Sequence, residues 1–454
     1  MRTIKVQSED LKSAMAYVAK IGNNASGITD YVVLNAEGGY LHLSSTNGQD
    51  WLSHRVCSSG DDIVKPIAVG MEWLKGICAC EEGATITLEF DGGFVTARTI
   101  DAEIVGPYTS EEGTAEKYPN RKEAITDGQT IHMKHSQIAP ALSAIDFALA
   151  KDEIRIVMTG VYVNLLDDKH AELASTDGRV MMAKTIRIEG LHTADTSVPY
   201  KGFILSPFAI KTIKGMAGEL CISIKGNAVE IACGDSTCRT TSIEGKYPNY
   251  RSVLPKRESA TSAKVSKDSL RLAIKRAATY QDTVIGLEVS KGKASLYTLN
   301  YEAGTSTIAS IPALCEADEP IMVGLSSAMI TKMLTNIKGE NVILNVTSPQ
   351  HPITIDGADE TMIALIMPMC IDIDLRQGLV KATNKTTPVA PEEEPTEEPA
   401  EAPEEEPEEE PTEEPEEEPE EEPGGELEPT EEPAEEPTDD DEERSIEDEI
   451  NELL

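Results

Sequence analysis

The sequence predicts an α+β fold in which one module, two helices laid on an antiparallel sheet, occurs three times. Two independent motifs recur at nearly the same spacing. The stretch around Thr46 returns around Thr176, 130 residues later, and Tyr118-Pro119-Asn120 returns as Tyr247-Pro248-Asn249, 129 residues later. Self-similarity at a fixed period indicates a repeated structural unit. The agreement of the two offsets therefore predicts a duplicated module.

A third copy of the module is weaker. Leu296-Tyr297-Thr298-Leu299-Asn300 stands where the strand around Thr46 is expected, and Met367-Pro368-Met369 stands where Tyr-Pro-Asn is expected. We therefore predict three modules followed by a tail, with the boundaries 1–126, 127–257, 258–375 and 376–454.

Two helices are predicted in each module. The opening helices, residues 8–21, 136–150 and 266–280, each start at a serine suited to N-capping. Leu11, Met15 and Val18 follow one apolar stripe at helical spacing. A second helix is predicted in the middle of each module, over residues 69–80, 206–216 and 326–337.

A pair of alternating strands follows each second helix. In the first module Ile86, Leu88 and Phe90 alternate with polar residues before a turn at Asp91-Gly92-Gly93. The same pattern occurs around residues 222–231 and 342–355. Apolar side chains at every second position predict antiparallel sheets with one buried face and one solvated face.

The formal charge of −41 is concentrated at the end of the chain. Residues 391–454 hold 35 acidic side chains and one basic one, which leaves 46 acidic and 39 basic side chains in the rest. Pro-Glu-Glu repeats bury little apolar area and repel one another, so we expect a disordered, extended acidic tail. The remainder is only mildly acidic, and its partners cannot be inferred from the total charge.

The sequence offers no catalytic or metal-binding pattern. The spacing of Cys78 with Cys80 and of Cys233 with Cys238 is not that of a zinc site, so we expect reduced, mostly buried thiols, no metal and no cofactor. Gly-rich phosphate loops, H-E-x-x-H and G-x-S-x-G are absent from the sequence, which argues against an enzyme. No apolar run has the length of a signal peptide or a membrane span, so we expect a cytoplasmic protein.

Several motifs together resemble one family. Residues 155–161 lead to Ala174-Ser175-Thr176-Asp177-Gly178-Arg179, and residues 243–255 contain Lys246-Tyr247-Pro248-Asn249-Tyr250-Arg251. With Met367-Pro368-Met369, these stretches resemble the bacterial DNA sliding clamp, the beta subunit of DNA polymerase III, over roughly residues 1–375. The resemblance implies a processivity factor in the cytoplasm of a bacterial or phage-infected cell.

The resemblance also implies a head-to-tail homodimer whose six modules close into a ring around double-stranded DNA. A closed ring holds DNA topologically and independently of its sequence, with weak phosphate attraction only. The helices would line the hole, although lysines on helices are also typical of an ordinary solvated face. The candidate DNA-facing residues are Lys12, Lys20, Lys211, Lys214, Arg271, Lys275, Arg276, Lys332 and Lys338.

By the same resemblance, the DNA polymerase and the clamp loader would insert short apolar peptides into a groove on the second module. Methionine and valine adapt well to apolar side chains, but any of these residues could instead be ordinary core. Arg179 and Val180 stand where the family usually has histidine and arginine, which predicts a pocket matched to its own partner, such as a phage polymerase. The candidate lining is Met158, Thr176, Gly178, Arg179, Val180, Met181, Pro248, Val253, Leu365 and Met367.

Ring closure in the family pairs the second helix of module one with the first helix of module three, near Gly76, Cys80, Thr279 and Tyr280. The acidic tail is either a solubilising brush or a polyanion that mimics DNA. Its last residues, 445–454, have the pattern of a short amphipathic helix that could dock into a groove. A rival prediction is a structural protein, such as a phage component with an acidic stalk, that has no role on DNA.

Overall fold

A computed structural model describes residues 1–22, 28–79, 83–109, 124–192, 202–255, 260–278, 284–300, 305–317 and 319–371. The expectations for the acidic tail, for the helix of residues 445–454 and for Tyr118-Pro119-Asn120 fall outside these ranges.

The strands and helices fall into three similar parts that begin at residues 2, 129 and 261 and are called the first, second and last third. The first third contains eight strands and two α-helices among its described residues. They are β1 Arg2–Gln7, α1 Ser8–Val18, β2 Tyr31–Glu37, β3 Tyr40–Thr46, β4 Trp51–Gly60, β5 Ile63–Gly70, α2 Met71–Ile77, β6 Thr85–Asp91, β7 Phe94–Arg98 and β8 Glu103–Thr109.

The second third repeats this order and adds one short strand, β13. Its elements are β9 Gln129–Lys134, α3 His135–Ile145, β10 Val161–Leu165, β11 His170–Thr176, β12 Val180–Arg187, β13 Gly190–His192, β14 Phe203–Leu205, α4 Pro207–Lys214, β15 Glu219–Lys225, β16 Ala228–Cys233 and β17 Ser236–Thr241.

The last third has the same order as the first. Its elements are β18 Thr261–Ser266, α5 Lys267–Ala277, β19 Val284–Ser290, β20 Lys293–Asn300, β21 Thr305–Leu314, β22 Ile321–Ser326, α6 Ser327–Asn336, β23 Asn341–Val346, β24 Ile353–Asp356 and β25 Met362–Ile366.

Of the three serine caps predicted for the opening helices, the one at Ser266 is confirmed, and Ser206 and Ser326, the first residues of two of the predicted second helices, are caps as well. The hydroxyls of Ser206, Ser266 and Ser326 each accept a hydrogen bond from a backbone N–H in the first turn. The predicted caps at Ser8 and Ser136 are wrong, because Gln7 and Lys134 occupy the N-cap positions and the two serines lie inside the first turns of α1 and α3. The first helical N–H of both helices donates to a loop carbonyl 2.9 Å away, and the N–H of Lys267 does the same in α5 beside its serine cap.

The second helix of the first third is shorter than predicted. We expected a helix over residues 69–80, but α2 spans Met71–Ile77 because Val69 and Gly70 complete the strand β5. A similar correction applies to the helix predicted over 136–150. The α-helix α3 ends at Ile145 and a 3-10 turn follows it.

The strands form two large sheets in which all pairings are antiparallel. The first sheet has 13 strands and runs from β1 to β13, and the second has 12 strands and runs from β14 to β22. The helices cover one face of these sheets, and the buried core between them includes the fully buried side chains of Leu11, Leu43 and Leu88. The α+β prediction, with helices on antiparallel sheet, is therefore confirmed.

One hydrogen bond marks equivalent positions in the three thirds. The hydroxyls of Ser45, Ser175 and Thr298 donate to the carbonyl of the last residue of α1, α3 and α5, at 2.7, 2.6 and 3.1 Å. Each hydroxyl thereby satisfies a carbonyl that the helix leaves unpaired at its C-terminal end. Thr298 thus occupies the position expected from the weaker third motif.

Two seams join the thirds through backbone pairing. At the first seam β4 pairs with β17, with Leu52 opposite Cys238. At the second seam β12 pairs with β25, with Met182 opposite Ala364. In the described part of the chain, no helix is long and apolar enough to cross a membrane.

Candidate functional site

A small apolar cluster lies on the outer face of the second seam, opposite the helices. Side chains alternate along β12, so Val180 and Met182 enter the main core while Met181 and Ala183 face outward. Leu365 of β25 stands opposite Met181 and belongs to the same outer cluster. The seam therefore brings two distant parts of the chain together in one apolar surface.

The segment after β17 covers part of this surface. The ring of Tyr247 stacks on that of Tyr162, with centroids 5.0 Å apart and planes 10° apart, and the ring of Tyr250 meets both edge-on. The hydroxyl of Tyr247 donates to the carbonyl of Ala174 at 3.3 Å. Burial raises the pKa of both Tyr247 and Tyr250, so both phenols stay protonated at neutral pH.

A buried carboxylate holds the same segment. Glu172 of β11 is 2% exposed, and it accepts hydrogen bonds from Arg251 at 2.7 and 3.2 Å and another from the hydroxyl of Tyr250. Neither Glu172 nor the tyrosines are among the site residues predicted from the sequence. Only the motif Tyr247-Pro248-Asn249-Tyr250-Arg251 hinted at them.

The structure gathers several predicted pocket residues around the cluster. Met181 and Leu365 are buried within it and Met367 is half-buried against it. Val253 is 47% exposed at the end of the covering segment. Pro248 lies on the same segment, half-buried.

The turn between β11 and β12 contributes the polar side of this site. The hydroxyl of Thr176 donates to the carbonyl of Val180 at 2.7 Å and accepts from the N–H of Gly178 at 3.0 Å. Gly178 has φ +86°, a backbone conformation that favours glycine. The N–H of Met367 donates to the carbonyl of Arg179 at 2.7 Å, which ties the turn to the last strand.

Two predicted residues are placed differently from the rest. Val180 is 1% exposed and packs in the main core, so its side chain does not face the outer cluster. Met158 is half-buried at the end of the 3-10 helix Glu153–Met158. On that helix Ile154 and Ile156 are 94% and 59% exposed, and this apolar surface is not among the sites predicted from the sequence.

An ion pair fixes the second seam. The ammonium of Lys184 on β12 bonds to Asp359, and both side chains are less than one-fifth exposed. Burial alone would raise the pKa of Asp359, but hydrogen bonds from Lys184 and Thr361 outweigh burial and lower the pKa to about 2. The carboxylate is therefore held in its charged form.

The variant Asp359→Asn is expected to lose about 1–2 kcal/mol of folding stability at pH 7, because it leaves Lys184 without its charged partner. A carboxyl with a lowered pKa stabilises the fold above its unfolded pKa of about 4 and loses that effect as pH falls towards 2. The melting temperatures of wild type and variant should therefore converge as pH falls from about 4 to about 2. Asp235→Asn is the matched control: its ion pair with Arg55 at the first seam is half exposed, so a small loss is expected.

The equivalent outer position at the first seam is not apolar. Trp51 takes the place of Met181, and Arg239 takes the place of Leu365, since both pairs face each other across their seams. Arg239 forms a mostly buried ion pair with Glu230 at 2.5 Å. The apolar surface is thus a property of the second seam and not of the repeated module.

The helices carry an excess of positive charge. They hold nine lysines and arginines against four aspartates and glutamates, whereas residues 1–390 as a whole are net acidic. Lys214 is half-buried and bonds to Asp146, and Lys20 donates to the carbonyl of Gly215 across the first seam at 3.3 Å. The other predicted DNA-facing residues are exposed: Lys12, Lys211, Arg271, Lys275, Arg276, Lys332 and Lys338.

The predicted interface residues are only partly described. Gly76 is exposed on α2. Cys80, Thr279 and Tyr280 lie outside the described residues. Among the residues that the structure covers, no group of three or more His, Cys, Asp or Glu side chains could hold a metal ion.

Comparison with protein families decides what this architecture is. One family model, the central domain of the DNA polymerase III beta subunit, matches residues 132–249, and a second, its C-terminal domain, matches residues 251–370. This chain belongs to the beta sliding clamp family. As a member of that family it is a processivity factor of DNA polymerase and not an enzyme.

Individual relatives agree with this assignment. The chain is 21% identical over 392 residues to the beta sliding clamp of Rickettsia felis, with 81% of this chain and 100% of that protein covered. It matches a crystal structure of the DNA polymerase III subunit beta of Pseudomonas aeruginosa with a TM-score of 0.72 at 19% identity, covering 81% of this chain and all of the other. The beta clamp of Helicobacter pylori bound to a DNA ligase peptide matches with a TM-score of 0.69 at 18% identity.

Proposed function

We propose that two copies of this chain close head to tail into a ring around duplex DNA and hold a polymerase there through an apolar peptide. In this proposal the chain consists of three clamp modules, residues 1–126, 127–257 and 258–375. Because it acts on replicating DNA, we place the protein in the cytoplasm of a bacterial or phage-infected cell.

Ring closure is supported by a pairing rule that both seams follow, called the strand rule. In both, the third strand after the opening helix (β4 or β12) pairs with the last strand of the next module (β17 or β25). By this rule β21 and β8, the last strand of the first module, have no seam partner among the described residues, although β21 pairs with β18 and β20, and β8 with β5 and β7. Along residues 305–312 of β21 and 103–107 of β8, the described pairings occupy one edge only.

The same rule predicts the register between two copies. Ser45, Ser175 and Thr298 stand opposite Leu52, Met182 and Thr307 on their neighbouring strands. Thr307 is therefore equivalent to Leu52 and Met182, which pair with Cys238 and Ala364 at the seams.

The position on β8 follows by counting from the opening strands. Ile131 lies four residues before its helix, and the register through β15 and β16 aligns it with Cys238 of β17. Ile4 also lies four residues before its helix, and the register through β6 and β7 aligns it with Ile104 of β8. Ile104 of one copy should thus face Thr307 of the other.

Side chains at these free edges suit burial in an interface. Val105 and Ile308 are 55% and 57% exposed, and the register places them diagonally across from each other. Cross-strand apolar pairs of this kind stabilise a sheet by about 0.2–1 kcal/mol each. A heterologous contact that closes on itself gives a ring and not a filament.

Encirclement of DNA can be tested by measuring whether the protein is retained on circular DNA. After loading by the clamp loader and ATP, the chain should stay on nicked circular DNA in 1 M salt, where the Debye length of about 3 Å removes phosphate attraction. Linearising the DNA should release it, because a ring slides off a free end. Equal retention on circular and linear DNA, or none on either, would contradict the proposal and favour a protein with no topological role on DNA.

The outer cluster of the second seam is the proposed site for polymerase and clamp-loader peptides. Its support is the buried pair Met181 and Leu365, the flexible rim residue Met367 and the exposed Val253. The exposed guanidinium of Arg179 borders the same site and favours an acidic residue in the peptide. A probe that fits this chemistry is the fluorescein-labelled pentapeptide Ser-Leu-Asp-Leu-Phe, called the probe peptide below.

A further inference from the structure

Glu172 is a buried acidic side chain that does not belong to the outer cluster. At 2% exposure it cannot touch a bound peptide. A buried carboxylate is costly unless it is paired and hydrogen-bonded, and this one has two bonds from Arg251 and one from Tyr250. The side chain of Arg251 is 52% exposed, so the pair reaches from the sheet to the surface.

The segment that Glu172 holds has few other attachments near its end. Among the described residues, the backbone–backbone hydrogen bonds donated by Tyr250, Ser252 and Leu254 all go to carbonyls within the segment. Its attachment to the sheet there depends on side chains. The start is anchored by the stacking of Tyr247 on Tyr162. The end is held by the bonds to Glu172 and by the packing of Tyr250 and Leu254 against the outer cluster.

We propose that Glu172 is a positioning residue for peptide binding: through Arg251 and Tyr250 it holds Pro248 and Val253 over the outer cluster. This inference rests on the proposed peptide site. If the segment is detached for part of the time, the apparent Kd rises by the reciprocal of the fraction that is correctly placed. A variant whose segment is placed one-tenth of the time would bind about tenfold more weakly.

The experiment measures the Kd of the probe peptide by fluorescence anisotropy on the full chain, together with the melting temperature. Glu172→Gln should bind about tenfold more weakly than wild type. Glu230→Gln is the matched control, since Glu230 forms a similar ion pair with Arg239 at the first seam, with both side chains under 15% exposed. It should lower the melting temperature by a similar amount and leave the Kd unchanged.

A double variant separates positioning from direct contact. Arg251→Gln leaves the carboxylate of Glu172 buried without its cation, so it should weaken binding more than Glu172→Gln does. Adding Glu172→Gln to Arg251→Gln replaces the ion pair by two amides and should restore part of the lost affinity. If Arg251 only touches the peptide, the second change will restore nothing.

The outcomes distinguish the two proposals. If wild type does not bind the probe peptide, the peptide site itself is contradicted. If wild type binds and Glu172→Gln binds equally well, the site stands and the positioning role of Glu172 is overturned. A loss of affinity in Glu230→Gln equal to that in Glu172→Gln would also overturn it, because general destabilisation would then explain both.

Discussion

A double variant with Val105→Cys and Ser306→Cys is expected to form a covalent dimer on mild oxidation. The register across β8 and β21 places residue 105 of one copy opposite residue 306 of the other, and both positions are exposed in the single chain. Directly opposed residues in antiparallel strands have Cα atoms about 4.5–5.5 Å apart, within the range that a disulfide spans. Most of the protein should run as a dimer on a non-reducing denaturing gel and as a monomer after reduction.

The control for this prediction shifts one cysteine by one residue. Val105→Cys with Thr307→Cys places the two thiols on opposite faces of the sheet, because side chains alternate along a strand. That variant should give little covalent dimer, as should wild type, whose thiols include the exposed Cys57 and Cys370. Equal cross-linking in both double variants would refute the predicted register.

Removing two side chains from the outer cluster is expected to abolish most peptide binding. Met367→Ala combined with Val253→Ala deletes one half-buried and one exposed apolar contact at the rim. At about 1.4 kcal/mol for each side chain, the Kd for the probe peptide should rise about 100-fold. Fluorescence anisotropy measures the affinity, and the yield of the Val105–Ser306 cross-link in the same background shows whether the dimer persists.

Met329→Ala is the control for the loss of a methionine. Met329 is half-buried like Met367, but it lies on α6 and packs against the helix-side core. It should cost stability and leave the peptide affinity within about twofold of wild type. Unchanged affinity in the Met367→Ala and Val253→Ala variant would show that the peptide site lies elsewhere.

Much of the fold could be predicted from local patterns. The apolar stripe of Leu11, Met15 and Val18 and the alternation of Ile86, Leu88 and Phe90 both appear in the structure as buried faces. The predicted caps at Ser8 and Ser136 were wrong because the N-cap positions lie one or two residues earlier, at Gln7 and Lys134. A serine before an apolar stripe indicates that a helix starts nearby, but it does not fix the N-cap position to the residue.

The candidate site was predicted less completely. Met181, Leu365 and Met367 were selected correctly as neighbours in space, although whether they bind a peptide stays a prediction. Val180 was placed beside Met181, and strand alternation puts it on the other face. Glu172 was missed, since nothing local distinguishes a buried carboxylate until Arg251, 79 positions away, is brought to it.

The sequence by itself determined the repeated module, its order of helices and strands, and the excess of positive charge on the helices, because these depend on residues close together in the chain. The tertiary structure decided which strands meet at the seams and what stands on their outer faces. The same strand rule gives an ion pair beside Trp51 at one seam and an apolar surface around Met181 at the other. The reason is physical: backbone pairing is the same at both seams, whereas the outer surface depends on which distant side chains the pairing brings together.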